Sequence, residues 1–237
     1  MKARKHDPTR RTPGQYARET VQRLRMRTLV TLGVLAVATA MLGRGFGLHD
    51  VRFLASEVAL LVSMFVISRY VVPLVERRDR GARGEEHVGG LLNGLAGEGW
   101  RVIHDATLGH GNVDHILIGP AGVFTIETKS HPGPIRVRGI HGATLKQALA
   151  HGEALARATD LESEALIVYS RAWVDRPLAR RKGVRVIPSR MLVGYLRRRP
   201  ARLSPEQTQE TYALVVEALR RQDSRRRLVH ERWQLAL

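Results

Sequence analysis

The sequence predicts an α/β fold, in which helices cover both faces of a mixed central sheet, preceded by a hairpin of two transmembrane helices. Two apolar stretches, residues 28–42 and 53–75, lie near the N-terminus. After residue 77 the pattern is helix, antiparallel strands, helix, two further strands and a final helical part, which is typical of an α/β/α core. The chain of 237 residues has no cysteine, so disulfides and thiolate metal sites are excluded.

Residues 1–27 form a strongly basic segment with nine Lys or Arg residues against two acids. Pro8, Pro13 and Gly14 interrupt it, and no apolar periodicity is visible before Val21. We expect a mostly disordered arm. Basic residues beside a membrane span favour retention in the cytoplasm, and direct contact with nucleic acid is the alternative role.

Residues 28–76 are expected to hold two membrane helices joined by a short outside loop. Stretch 53–75 is long enough for a bilayer core of roughly 30 Å, whereas stretch 28–42 must continue towards Leu48 to reach the ~20 residues that a span needs. Glu57 and Arg69 lie near the ends of the second stretch, which favours a structural role. The alternatives are a signal peptide and a buried helical hairpin.

The arginines predict the orientation of this hairpin. Loop 43–52 contains Arg44 and Arg52, whereas four arginines flank the pair on each side, within 18–27 and 77–83. Because positive residues stay inside, both termini and the C-terminal domain are expected in the cytoplasm, at the inner membrane.

Residues 77–237 read as one α/β domain with a basic helical C-terminal part. The predicted helices span 85–96, 144–158, 189–196 and 205–221, and the predicted strands span 100–104, 113–118, 123–129, 135–138, 165–170 and 184–187.

The two strands within 112–129 form a predicted hairpin that carries charges in an apolar setting. Asp114 lies on the first strand, and Glu127 and Lys129 share one face of the second. A two-residue turn at Pro120–Ala121 would place Asp114 opposite Glu127, whereas a three-residue turn with a bulge would turn Asp114 away. Both registers are possible from the sequence.

These residues resemble the PD-(D/E)xK nuclease superfamily, and in particular its NERD (nuclease-related domain) branch. The matching positions are Gly81, Gly84 and Glu85 in GARGEEHV, Asp114, Glu127 and Lys129 in the hairpin, and Gln147 in LKQAL. The resemblance implies a restriction-endonuclease-like fold and a nuclease that uses Mg²⁺ or Mn²⁺.

The resemblance also implies a role for each residue. Asp114, Glu127 and the main-chain carbonyl of Thr128 would hold the metal, and Lys129 would place the attacking water. Glu85 would add a carboxylate, and Gln147 would contact the scissile phosphate or a metal-bound water. The ordinary alternatives are that Glu127 and Lys129 are solvated cross-strand charges, that Glu85 is an acid in the first turn of a helix, and that Gln147 is exposed.

The histidines of this domain also invite a zinc site, which we consider less well supported. No two of them have a convincing spacing within one element, and His115 leaves the opposite strand face from Asp114. His115 is expected to pack or hydrogen-bond in the core.

The net charge of +17 is concentrated in the last third of the chain as well as in the N-terminal arm. Residues 161–237 carry seventeen basic residues against eight acids. The expected contacts with phosphate backbones are Arg197, Arg198, Arg199, Arg225, Arg226 and Arg227. The same clusters could instead bind anionic lipid.

The sequence thus predicts a membrane-anchored, cytoplasm-facing, metal-dependent nuclease that acts on nucleic acid, with DNA as the expected substrate. The alternative is a non-catalytic module for nucleic acid or the membrane surface that retains the nuclease fold. The oligomeric state stays open.

Overall fold

The computed structural model of this chain describes residues 11–46, 51–109 and 111–234. The chain divides into two compact units, one comprising Tyr16–Arg80 and the other Gly81–Leu237 together with Met1–Gln15.

The first unit is built from long helices. Helix α1 spans Gln15–Phe46, α2 spans Val51–Val66, and a π-helical turn at Ile67–Val71 leads into α3, Val72–Asn93, which continues from residue 81 as part of the second unit. Helix α1 begins inside the segment 1–27 for which the sequence predicted a disordered arm; residues 1–10 lie outside the described part, as does the 47–50 portion of the predicted outside loop. Pro73 lacks a backbone N–H, which accounts for the local change to π-helical bonding just before it.

Two stretches of these helices, Gln15–Met41 and Val51–Glu98, are long and apolar enough to cross a membrane. Signal sequences and core helices of soluble proteins can have the same length and composition. Here the apolar side chains are largely exposed, as for Val34 at 64% and Phe65 at 65%, which is not the pattern of a core helix.

The second unit contains a six-stranded mixed sheet. Its strands lie in the order β1 (Arg101–Leu108), β2 (Gly111–Gly119), β3 (Gly122–Lys129), β5 (Glu164–Tyr169), β8 (Val184–Pro188) and β7 (Arg180–Arg181). Strand β2 is antiparallel to both β1 and β3, β5 is parallel to β3, β8 is parallel to β5, and β7 is antiparallel to β8. Helix α4 (Gly142–Thr159) makes the crossover between β3 and β5.

Helices pack on both faces of this sheet. Leu92 of α3 and Leu192 of α5 (Ser189–Arg197) belong to one core cluster with Phe124 of β3. On the other face, Leu155 of α4 and Val215 of α6 (Pro205–Gln234) form a cluster with strands β1 and β2. The prediction of a mixed α/β core with helices on both faces is therefore confirmed.

The hairpin of β2 and β3 adopts the shorter of the two possible turns. Gly119 pairs with Gly122, so only Pro120 and Ala121 form the loop, and His115 pairs with Ile126. Gly119 is required sterically, because a Cβ there would overlap the indole ring of Trp100.

Several predicted elements differ in extent. Strand β1 and helix α6 run well beyond the predicted 100–104 and 205–221. The strand predicted at 135–138 is wrong: β4 covers only Pro134–Ile135 and pairs with β6 (Trp173–Val174) outside the main sheet, and a 3₁₀ turn follows at Val137–Gly139. Apolar alternation alone does not distinguish this short run from a strand of the central sheet, even though three turn residues precede it.

Candidate active site

Asp114 and Glu127 lie side by side on neighbouring strands. Continuing the observed register by one residue beyond His115 and Ile126 places the two acids opposite each other. Both are buried, with exposures of 9% and 3%. The backbone N–H of Thr128 donates a hydrogen bond of 2.7 Å to Asp114 Oδ2, which holds that carboxylate against β3.

Lys129 and Gln147 complete the hairpin site. The Lys129 ammonium donates to Glu127 Oε1 at 2.6 Å and to Gln147 Oε1 at 3.2 Å. Gln147 lies on α4, the crossover helix between β3 and β5, which packs against the strand that carries Lys129. The structure thus brings Glu127, Lys129 and Gln147 together, and the roles assigned to them stay predictions.

Glu85 reaches the same region from α3 because Gly84 permits a close helix approach. A Cβ at Gly84 would lie 2.8 Å from Ser130 Cβ and from Ser170 Oγ, at the carboxyl ends of β3 and β5. No side chain larger than hydrogen fits there without movement. The glycine therefore lets the middle of α3, and Glu85 with it, lie close to the carboxyl ends of β3 and β5, near the hairpin acids.

The acids influence one another electrostatically. Burial raises the pKa of Asp114 well above its usual range, and the neighbouring charges of Glu127 and Glu85 raise it further. Burial, followed by repulsion from Asp105 and Glu127, raises the pKa of Glu85 to about 7. Burial alone would raise the pKa of Glu127 too, but its contacts with His151 and Lys129 outweigh burial and lower it.

Sequence reasoning missed two side chains of this site. His151, one helical turn after Gln147, is buried with its Nδ1 3.2 Å from Glu127 Oε2. Asp105, 1% exposed, lies between the paired positions His104 and Ala106, opposite Asp114. Its φ of +50° is rare for a side-chain-bearing residue inside a strand. The helical spacing of Gln147 and His151 was visible in the sequence; the backbone of Asp105 was not.

His115 lies in the core, as expected, and its partner is another histidine. The rings of His104 and His115 meet edge to face with their Nδ1 atoms 2.8 Å apart, and His104 Nε2 is 3.2 Å from Asn93 Oδ1. Burial lowers the pKa of His104 to about 4, and the pKa of His115 is also lowered by burial and by its neighbour. Both rings are therefore neutral near pH 7.

The donors of the site fit a hard divalent cation in kind. Buried carboxylates that repel one another are stabilised by a cation between them, and carboxylate and carbonyl oxygens are the ligands that Mg²⁺ and Mn²⁺ prefer. Among the described residues, however, no three acidic or imidazole side chains already form a group that could hold an ion. One oxygen of Glu127 is instead bonded to Lys129.

The arginines predicted to contact nucleic acid differ in their surroundings. Arg197 pairs with Glu98, and Arg199 donates to Glu164 at 3.2 Å, so neither is a free phosphate ligand in this structure. Glu164 also accepts hydrogen bonds from other side chains, namely Arg180, Arg185 and Tyr195. Arg198 and Arg225 are exposed, whereas the side chains of Arg226 and Arg227 lie outside the described residues.

Comparison with known proteins supports the resemblance over part of the chain. Residues 80–172 match the family model NERD, described as Nuclease-related domain, and this range contains every acid of the site together with Lys129 and Gln147. No match is found among the curated proteins.

One solved structure is similar, that of Pyrococcus furiosus SfsA in complex with Ca²⁺, with 19% identity over 60% of this chain and 53% of that chain. The chain thus spans about half the length of that protein, and the TM-score is 0.24. The family match alone indicates a nuclease-related function.

Proposed function

We propose that this chain is a membrane-anchored, metal-dependent nuclease that hydrolyses phosphodiester bonds of nucleic acid, with DNA as the expected substrate. One observation carries the proposal: two buried carboxylates, Asp114 and Glu127, face each other across a hairpin, and Lys129 lies against the second. This arrangement lies inside the region that matches a nuclease-related family.

The residues have distinct chemical roles in this proposal. Asp114 and Glu127, with the carbonyl of Thr128, would hold Mg²⁺ or Mn²⁺, and the bound cation would supply Lewis-acid stabilisation of the charge that develops on the phosphate. Lys129 donates hydrogen bonds and accepts none, so it orients water or a phosphate oxygen and offsets negative charge. Gln147 keeps the Lys129 ammonium beside the hairpin.

The direct test is nicking of supercoiled plasmid by the full-length chain in detergent with Mg²⁺ or Mn²⁺. Asp114→Asn and Glu127→Gln should lower cleavage by at least about 100-fold and weaken metal binding, because each removes a charged ligand. Lys129→Ala should lose cleavage to a similar extent but keep the metal, since an ammonium is not a ligand. Glu210→Gln, an exposed change on α6, is the matched control.

A non-catalytic module for nucleic acid or the membrane surface is the second candidate. It is favoured by the bond from Lys129 to Glu127 Oε1, which already neutralises that carboxylate without a metal. Binding of DNA with no cleavage under Mg²⁺ or Mn²⁺, and the same metal affinity in Glu127→Gln as in wild type, would decide for this second candidate.

The membrane anchor is part of the proposal. The support is the exposure of apolar side chains along α1 and α2 and the arginine asymmetry between loop 43–52 and its flanks. Both termini and the nuclease-like domain would then face the cytoplasm at the inner membrane. Fusions of alkaline phosphatase and of a fluorescent protein after Leu237 test this: an active phosphatase, which requires export, would contradict it.

A further inference from the structure

We infer that His151 is a positioning residue of the proposed nuclease site, which orients the Glu127 carboxylate for the divalent cation. This inference rests on the proposed function, because it assigns a role towards the same cation. His151 itself does not bind the metal in this account.

The first step is the contact between two buried atoms. His151 Nδ1 lies 3.2 Å from Glu127 Oε2, and both side chains are less than a tenth exposed. Among the described residues neither atom has a hydrogen-bond partner, since even this contact is poorly aligned for a full hydrogen bond. Because each is shielded from water and has no other partner there, a small rotation that aligns them is strongly favoured.

The second step is the division of the Glu127 oxygens. Oε1 accepts from Lys129 at 2.6 Å, whereas Oε2 faces His151. A hydrogen bond from Nδ1–H to Oε2 would fix the plane of the carboxylate and so determine which lone pairs of Glu127 point towards Asp114. Partners that hold a ligating carboxylate in this way typically contribute 10- to 100-fold to metal affinity.

The third step is the setting of the ring. Gln147 and His151 are four residues apart on α4 and contact Lys129 and Glu127, respectively, so successive turns of one helix hold the two charged residues of the strand. The other ring nitrogen, Nε2, is the atom that a Cβ placed on Gly111 would meet first. His151 and Gly111 both line a cavity of about 330 Å³. The ring therefore has Glu127 on one side and this cavity on the other.

The test measures Mn²⁺ affinity and plasmid nicking with the full-length chain in detergent, with free Mn²⁺ followed by electron paramagnetic resonance. His151→Ala should weaken Mn²⁺ binding by about 10- to 100-fold. His151→Asn should recover most of that loss, because the asparagine Nδ2 can donate from nearly the position of Nδ1. Glu210→Gln, the exposed change on α6, is the matched control and should keep the wild-type Mn²⁺ affinity.

Three results would overturn the inference. Wild-type Mn²⁺ affinity in His151→Ala is the plainest. Equal losses in the Ala and Asn variants, with the same drop in melting temperature, would mean that His151 only fills space. If wild type binds no Mn²⁺, or if Glu127→Gln binds Mn²⁺ with the same affinity as wild type, the proposed function itself fails. The first two results can be told apart from this one, because both require that wild type binds the metal.

Discussion

Replacing Glu85 by glutamine should stabilise the protein above neutral pH. The pKa of Glu85 is raised from 4.5 to about 7 by burial and by repulsion from Asp105 and Glu127. Between pH 4.5 and 7 the folded state therefore keeps a proton on Glu85 that the unfolded chain releases. The contribution of Glu85 to the free energy of unfolding is fully present below pH 4.5 and is lost as the pH rises through 7. The shift corresponds to about 3 kcal/mol, as an order of magnitude.

The assay is thermal unfolding of the full-length chain in detergent at pH 4.5 and pH 8, without divalent ions. For a domain of this size, about 3 kcal/mol corresponds to a rise of roughly 6–12 °C in Tm for Glu85→Gln at pH 8, with little change at pH 4.5. Glu210→Gln is the exposed control. Mg²⁺ should narrow the difference at pH 8, because a cation relieves the same repulsion. A glutamine variant that is no more stable than wild type at pH 8 would refute the reasoning.

Other predictions follow from individual contacts. Gly84→Ala should lower stability by about 1–3 kcal/mol in thermal unfolding because its Cβ has no room, and an unchanged Tm would show that α3 can move away from Ser130 and Ser170. As the pH falls from 6.5 to 4, wild type should lose up to about 3 kcal/mol more stability than His104→Asn. Burial lowers the pKa of His104 to about 4, so the unfolded wild-type chain binds a proton there that the folded state does not. Parallel plots of stability against pH for the two proteins would contradict this. In DNA-binding titrations, Arg198→Ala should reduce the slope of the logarithm of the binding constant against the logarithm of salt concentration by about 0.9. Arg199→Ala should mainly lower Tm, because Glu164 loses its hydrogen bond from Arg199. Equal effects of the two variants on the slope would contradict this difference.

The sequence was sufficient for the elements with strong periodicity. The hairpin, the crossover helix and the two parallel strands after it are rich in apolar residues with clear turns between them, so the mixed sheet could be predicted. Pro120 and Gly122 marked the turn, but the register depended on a close backbone fit. Trp100 packs directly on Gly119, a contact between residues far apart in the chain, and local turn preferences do not encode it.

The site was predictable where its residues share an element or a known spacing. Glu127, Lys129 and Gln147 come together because one strand and the next helix carry them. Asp105 was missed because its inward position depends on a left-handed backbone in the middle of β1. Arg197 and Arg199 read as free basic residues, yet each meets a glutamate distant in sequence, and such pairings are set by tertiary packing.

A crystal structure of the full-length chain soaked with Mn²⁺ tests the central claim most directly, by the anomalous scattering of the ion. We expect one Mn²⁺ between Asp114 and Glu127, within about 2.0–2.3 Å of an oxygen of each carboxylate, and Lys129 withdrawn from Glu127 Oε1. No anomalous peak beside these carboxylates at millimolar Mn²⁺, with the bond from Lys129 to Glu127 intact, would contradict it.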